Sequence, residues 1–260
     1  MFSNLAGDLT GAPDQRPPLV LLHGLTFDRT MWHPALAELA ELDPGRQVLA
    51  LDLPGHGESP PWPGYDLEPI ADAIHQAAAE AGLSSPVLAG HSAGGVIATI
   101  YAARYPARGV VNVDQSLQVE PFAQLVRSLV GPLRGPGFEQ VWGQFEASMG
   151  IGLLPQRAQD LLQSARYVRQ DLVTGYWREV LDRPPGELAR KTADGLTAVR
   201  DAKVPYLFVA GHDPGQEYLG WLNRELPQAE VTVWPGSGHF PHLAQPGRFA
   251  ELLAGTAQWA

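Results

Sequence analysis

The chain has 260 residues, 45% of them hydrophobic, a formal net charge of −10 and no cysteine. The acidic balance argues against a nucleic-acid partner, since nothing supplies the basic footprint that neutralises phosphates. The missing cysteine excludes disulfides, thiolate metal sites and a thiol nucleophile.

From the N-terminus, Met1–Gln15 has no basic residue and no apolar block, so no targeting leader is expected there. Short Val- and Leu-rich runs follow at Pro18–Leu22, Val48–Leu51, Pro86–Ala89, Gly109–Val113, Tyr206–Ala210 and Val231–Trp234. They are too short for helices and nearly continuous in apolarity, which predicts strands buried on both faces of a parallel sheet. Helical patterns lie between them at Trp32–Leu42, Leu67–Ala81 and Gly94–Tyr105. This alternation predicts an α/β fold with a mostly parallel, doubly wound sheet. The apolar stretch Val87–Tyr101 is too short and too broken by Gly, His and Ser to span a bilayer. A cytoplasmic protein is expected.

Between Gln115 and Lys203 the rhythm changes: no strand pattern is present, and at least four amphipathic helical patterns are. Phe122, Leu125, Val126, Leu129 and Val130 form one stripe. Phe138, Val141, Trp142, Phe145 and Met149 form another, and Leu172, Val173, Tyr176, Trp177, Val180 and Leu181 a third. The reading is a core of residues 1–114 and 204–260 that carries a helical insertion of residues 115–203.

The sharpest chemical signal is Gly90-His91-Ser92-Ala93-Gly94, set between a predicted strand and a predicted helix. A G-x-S-x-G in that context is a nucleophile elbow: a strained turn exposes the serine and needs small neighbours. Ser92 is therefore the candidate nucleophile. A serine hydroxyl needs a base, and His239, in a Gly-rich loop just past the last predicted strand, is the candidate. His23, His56 and His91 sit in Gly-rich turns and read as structural; His33 and His75 read as helix-surface residues. His239 and His242 lack a converging carboxylate motif, so no metal site is expected. The N–H groups of Leu25, in the turn Leu22-His23-Gly24-Leu25, and of Ala93 are the candidate oxyanion donors.

The stretches Leu21–Leu25, Asp52–Ser59, Gly90–Gly95 and Gly236–Leu243 stand in the order found in the α/β-hydrolase superfamily, which this chain resembles over nearly its whole length. The resemblance implies an α/β-hydrolase fold, Ser92 as nucleophile, His239 as base and residues 115–203 as a lid, with no cofactor. It also implies a shortened leading hairpin, since only about 17 residues precede the first motif strand. Members usually carry the triad acid after the strand Tyr206–Ala210, which is Asp213 here, although the connection Gly211-His212-Asp213 is one residue short of the usual spacing. A minority, including haloalkane dehalogenases and the zearalenone-lactonase type, carry it one strand earlier, which is Asp114. Both remain open at this point, with Asp114 preferred. Asp52 and the turn around His56 read as architectural.

Trp142, Phe145, Tyr176 and Trp177 are candidate substrate-lining residues. The expected activity is hydrolysis of a medium-sized, largely apolar small-molecule carboxylic ester or lactone. Cofactor-free perhydrolysis, C–C bond hydrolysis and ligand sensing with little turnover are the alternatives. The sequence gives no oligomeric state.

Overall fold

In a computed structural model that describes residues 1–259, the six apolar runs all become strands of one sheet. A seventh strand, missed in the sequence, joins them. The strands are β1 (Gly7–Thr10), β2 (Leu19–Leu22), β3 (Val48–Leu51), β4 (Val87–His91), β5 (Gly109–Val113), β6 (Tyr206–Ala210) and β7 (Ala229–Val233). Their spatial order is β1-β3-β2-β4-β5-β6-β7. All neighbours pair in parallel except β1, which runs antiparallel to β3. β1 left no pattern because it is an edge strand: Asp8, Leu9 and Thr10 are exposed, so no burial selects apolar residues there. It is a single strand where a shortened hairpin was expected.

Burial on both faces holds for the central strands and fails at β7, the other edge. There Glu230 and Val231 are exposed, and the buried Trp234 lies just beyond the strand. Alternate side chains of the inner strands feed two separate cores. Leu22, Leu51, Leu88, Val110 and Phe208 belong to one, together with α2 (Leu67–Glu80) and α3 (Ala93–Arg104). Leu21, Ala50, Ala89, Val111 and Val209 belong to the other, under α1 (His33–Leu42) and a C-terminal helix at Pro246–Gly255.

Between β5 and β6 the chain makes seven α-helices and, among the described residues, no strand. They are α4 (Val119–Ser128), α5 (Val130–Arg134), α6 (Phe138–Ser148), α7 (Gln156–Ala165), α8 (Gln170–Tyr176), α9 (Arg178–Asp182) and α10 (Glu187–Asp201). Two of the expected stripes are split, at Leu129 and at Trp177. The first break has a covalent cause, because Pro132 has no N–H to give to the carbonyl four residues back. α11 (Gly215–Glu225) links β6 to β7. Among the described residues, no helix is long and apolar enough to cross a membrane. His75 is not a plain surface residue: it stacks on Tyr105 with ring centroids 3.9 Å apart and bonds the Tyr101 hydroxyl at 3.1 Å.

Candidate active site

The parallel register brings the candidate residues to one edge. His91 at the end of β4 pairs with Val113 at the end of β5, so Ser92 and Asp114 leave adjacent strands at the same level. Ser92 stands alone between β4 and α3, with φ 52° and ψ −123°. A non-glycine residue costs of order 1–3 kcal/mol in such a conformation and is held there only by its surroundings. Two of these are visible: the Ser92 N–H donates to Val113 O at 3.0 Å, and Gly95 N–H donates back to Ser92 O at 2.8 Å. α3 must also pass close to β2, and a Cβ on Gly94 would fall 2.3 Å from Leu22 O.

His239 follows β7 in a loop that folds back over the end of β6, where Trp234 N–H donates to Ala210 O at 2.7 Å. Its Nδ1 lies 2.8 Å from Asp114 Oδ2. The other carboxylate oxygen of Asp114 accepts the Gly211 N–H at 2.7 Å, so both oxygens of this buried acid are engaged. Asp114 also has positive φ, 54°, which turns its side chain back across the strand ends. Asp213 is elsewhere. It is exposed, and its Oδ1 accepts the Gly215 N–H at 2.9 Å at the start of α11. The short connection after β6 explains the difference. Gly211 presses on the histidine loop so closely that a Cβ there would sit 1.7 Å from Gly238 O, and the chain then turns straight into α11. Of the two acids left open by the sequence, Asp114 is the one brought to His239.

Two further contacts fix His239 and were not foreseen, and a third residue stands beside Asp114. Its N–H donates to Met149 O at 2.8 Å, reaching out to the helical segment. Its carbonyl accepts from His91 Nε2 at 2.8 Å. His212, exposed, has its Nδ1 3.8 Å from Asp114 Oδ1. His91 is wholly buried, and burial together with the neighbouring His239 and His242 pushes its pKa well down, so it is a neutral donor. His242 is buried behind it with its pKa pushed down to about 3, and neither ring nitrogen has a partner among the described residues.

The Leu25 turn is held by the two other buried histidines. Leu53 N–H donates to His23 Nε2 at 2.9 Å, and Thr26 N–H donates to His56 Nε2 at 3.1 Å. Each ring therefore carries its proton on Nδ1, which bonds Gly24 O in His23 and Pro54 O in His56. Burial lowers both pKa values. Asp52, also buried, accepts the N–H groups of Arg29 and Glu58 at 2.8 Å each and pairs with the Arg29 guanidinium. Among the described residues, neither Leu25 N–H nor Ala93 N–H has an acceptor. Both residues face one cavity of about 1320 Å³ that also contacts Ser92 and His239.

All four aromatic candidates line that cavity. Trp142, Phe145 and Trp177 pack on one another with centroids 5.3–6.4 Å apart, and Phe122 joins them at 5.3 Å from Trp177. Tyr176 is tied down as well: its hydroxyl donates to Pro54 O at 2.9 Å and its ring stacks on Tyr65. Among the described residues, no group of three or more His, Asp or Glu is disposed to hold a metal ion.

The chain matches the model of the alpha/beta hydrolase family over residues 19–252 and belongs to that family. It is 26% identical over 256 residues to a pimeloyl-[acyl-carrier protein] methyl ester esterase of Yersinia enterocolitica, a match covering 92% of this chain and 93% of that protein. A solved thermophilic esterase from Thermogutta terrifontis is similar at TM-score 0.74 and 26% identity, over 96% of this chain and 91% of the other. An enzyme of recognition and ring-cleavage of the Pseudomonas quinolone signal shares the fold at TM-score 0.80 and 18% identity, over 98% and 96% of the two chains.

Proposed function

We propose that this member of the alpha/beta hydrolase family hydrolyses carboxylic esters, lactones included, through Ser92, His239 and Asp114. The observation that carries the reading is the 2.8 Å bond from His239 Nδ1 to Asp114, beside a serine at φ 52° on the same cavity. Asp114 holds the proton of His239 on Nδ1, which leaves Nε2 free to accept the Ser92 proton. Ser92 Oγ then bonds to the carbonyl carbon. The carbonyl oxygen takes the negative charge and meets the N–H groups of Leu25 and Ala93, with the N-terminus of α3 adding a favourable dipole.

Collapse of this intermediate breaks the bond to the alkoxide, which leaves with the proton from His239. Water, deprotonated by His239, releases the acid and regenerates Ser92. Residues 115–203 act as a lid. Its aromatic wall of Trp142, Phe145, Tyr176 and Trp177 contacts the substrate and excludes water from the acyl-enzyme. The ester hydrolases among the similar proteins support this class of reaction.

A panel of esters and lactones, assayed with Ser92→Ala as control, tests the proposal. Turnover should fall by several orders of magnitude in the variant, with circular dichroism and Tm retained. A folded Ser92→Ala protein as active as the parent would overturn it.

A further inference from the structure

The cavity is not confined to the neighbourhood of Ser92. Ala93, Val96, Ile100 and Ala103 line it as well, and so does Arg104 at the far end of α3. These positions recur every three or four residues, so they form one stripe along the helix. They are only half-buried as far as Ala103, while Ile97, Ala98, Tyr101 and Ala102 on the remaining face are packed in the core. Eleven residues of helix separate Ala93 from Arg104 in sequence, which at about 1.5 Å per residue is a run of ~16 Å.

α10 forms the wall beside this stripe, through Leu188, Lys191 and Gly195. The Lys191 ammonium is neutralised by Glu68 and Glu179, at 2.7 and 2.8 Å, and the remaining polar groups that α10 brings to the cavity include Thr192 and the exposed Asp194. Near the far end the two helices close in on small residues: a Cβ on Gly195 would lie 3.9 Å from that of Ala103. The trough is thus apolar along its α3 side and long, with Thr192 and Asp194 at its rim, and its outer end lies at the exposed side chains of Arg104 and Arg190.

We infer that the trough binds a straight, unbranched alkyl chain attached to the ester, reaching from Ser92 to Ala103. The inference rests on the proposed hydrolytic reading for its chemistry, but the trough can be probed without turnover. A carbon–carbon bond of about 1.52 Å advances an extended chain by about 1.3 Å, so a ~16 Å trough accommodates about ten to twelve carbons.

Two measurements test it. In the first, kcat/KM is measured for p-nitrophenyl esters from acetate to palmitate and for alkyl acetates of matched length. One of the series should rise with length and level off near decanoate or laurate, each methylene adding up to about fourfold, the equivalent of about 0.8 kcal/mol. Ala103→Phe should cut the ratio of decanoate to acetate rates at least tenfold and shorten the optimum. In the second, straight-chain alcohols below their solubility limits are titrated into Ser92→Ala protein, with tryptophan fluorescence as readout. Affinity should climb from butanol to decanol and lose that climb when Ala103→Phe is added.

Hydrolysis of acetates with both series flat or falling would overturn the trough and leave ester hydrolysis standing. Absence of ester turnover with chain-length-dependent alcohol binding would do the reverse. Alcohol affinity independent of chain length overturns the trough whatever the hydrolysis result.

Discussion

Exchanging Asp114 for asparagine separates the two carboxylates left open by the motif spacing. Asparagine keeps an oxygen that can accept the Gly211 N–H, now made at 2.7 Å, and it tolerates the positive φ of 54° at this position better than most residues. The fold should lose only about 1 kcal/mol, the difference between a charged and a neutral hydrogen bond. Catalysis should suffer far more. With its oxygen on Gly211, the amide turns its NH2 toward His239 Nδ1, which must then accept. The proton moves to Nε2, where the Ser92 proton would have to go. A wrong tautomer of this kind costs about 10⁴ in kcat where it has been isolated in a serine protease, or about 5 kcal/mol of barrier.

Asp213→Asn should do almost nothing. Its one bond, to Gly215 N–H, can be made by the amide as well, and the residue is exposed. Its expected effects are under twofold in kcat and within about 0.5 kcal/mol in stability. The assay is steady-state hydrolysis of a p-nitrophenyl ester by both variants, with urea unfolding as the stability control. A folded Asp114→Asn protein that keeps more than a tenth of the activity, or an equal loss in Asp213→Asn, would refute the assignment.

Gly94→Ala should destabilise by about 3 kcal/mol, since its methyl would meet two backbone oxygens, Leu22 O at 2.3 Å and His23 O at 2.7 Å, that have little room to move. A thermal melt should show Tm lower by roughly 6–12 °C, and an unchanged Tm would mean that the elbow relaxes more easily than its packing suggests. His242 makes the stability depend on pH. Its pKa, pushed down to about 3 in the fold, is below the ordinary value, so the unfolded chain binds the proton first as pH falls. Stability is therefore full above about pH 6.5 and declines toward pH 3, with about 2 kcal/mol lost from this group by pH 5. His242→Phe should flatten urea-unfolding stability over this range by up to about 1.4 kcal/mol per pH unit, and a slope equal to the parent's would exclude His242 as its source.

Much of this was legible in the chain because local physics dictated it. The five buried strands need continuous Val and Leu, and a serine at positive φ between strand and helix needs glycine around it, so the parallel sheet and the position of Ser92 could be read directly. β1 could not be read, because an exposed edge strand is under no demand for apolar residues. The split of the Leu172–Leu181 stripe at Trp177 had only Gly175 to announce it, a weak signal beside so continuous an apolar stripe. What the tertiary structure alone decided is which acid meets His239. That depends on how far a loop reaches over the ends of three strands, and so on the close approach of Gly211 to Gly238 and the early start of α11. The hold of Met149 O and His91 on the main chain of His239 was equally hidden, because both bonds join segments far apart in sequence and the first uses only backbone atoms, which any residue could supply. Sequence determines a site where side-chain identity is the constraint. Where distance between backbones is the constraint, only the folded chain sets it.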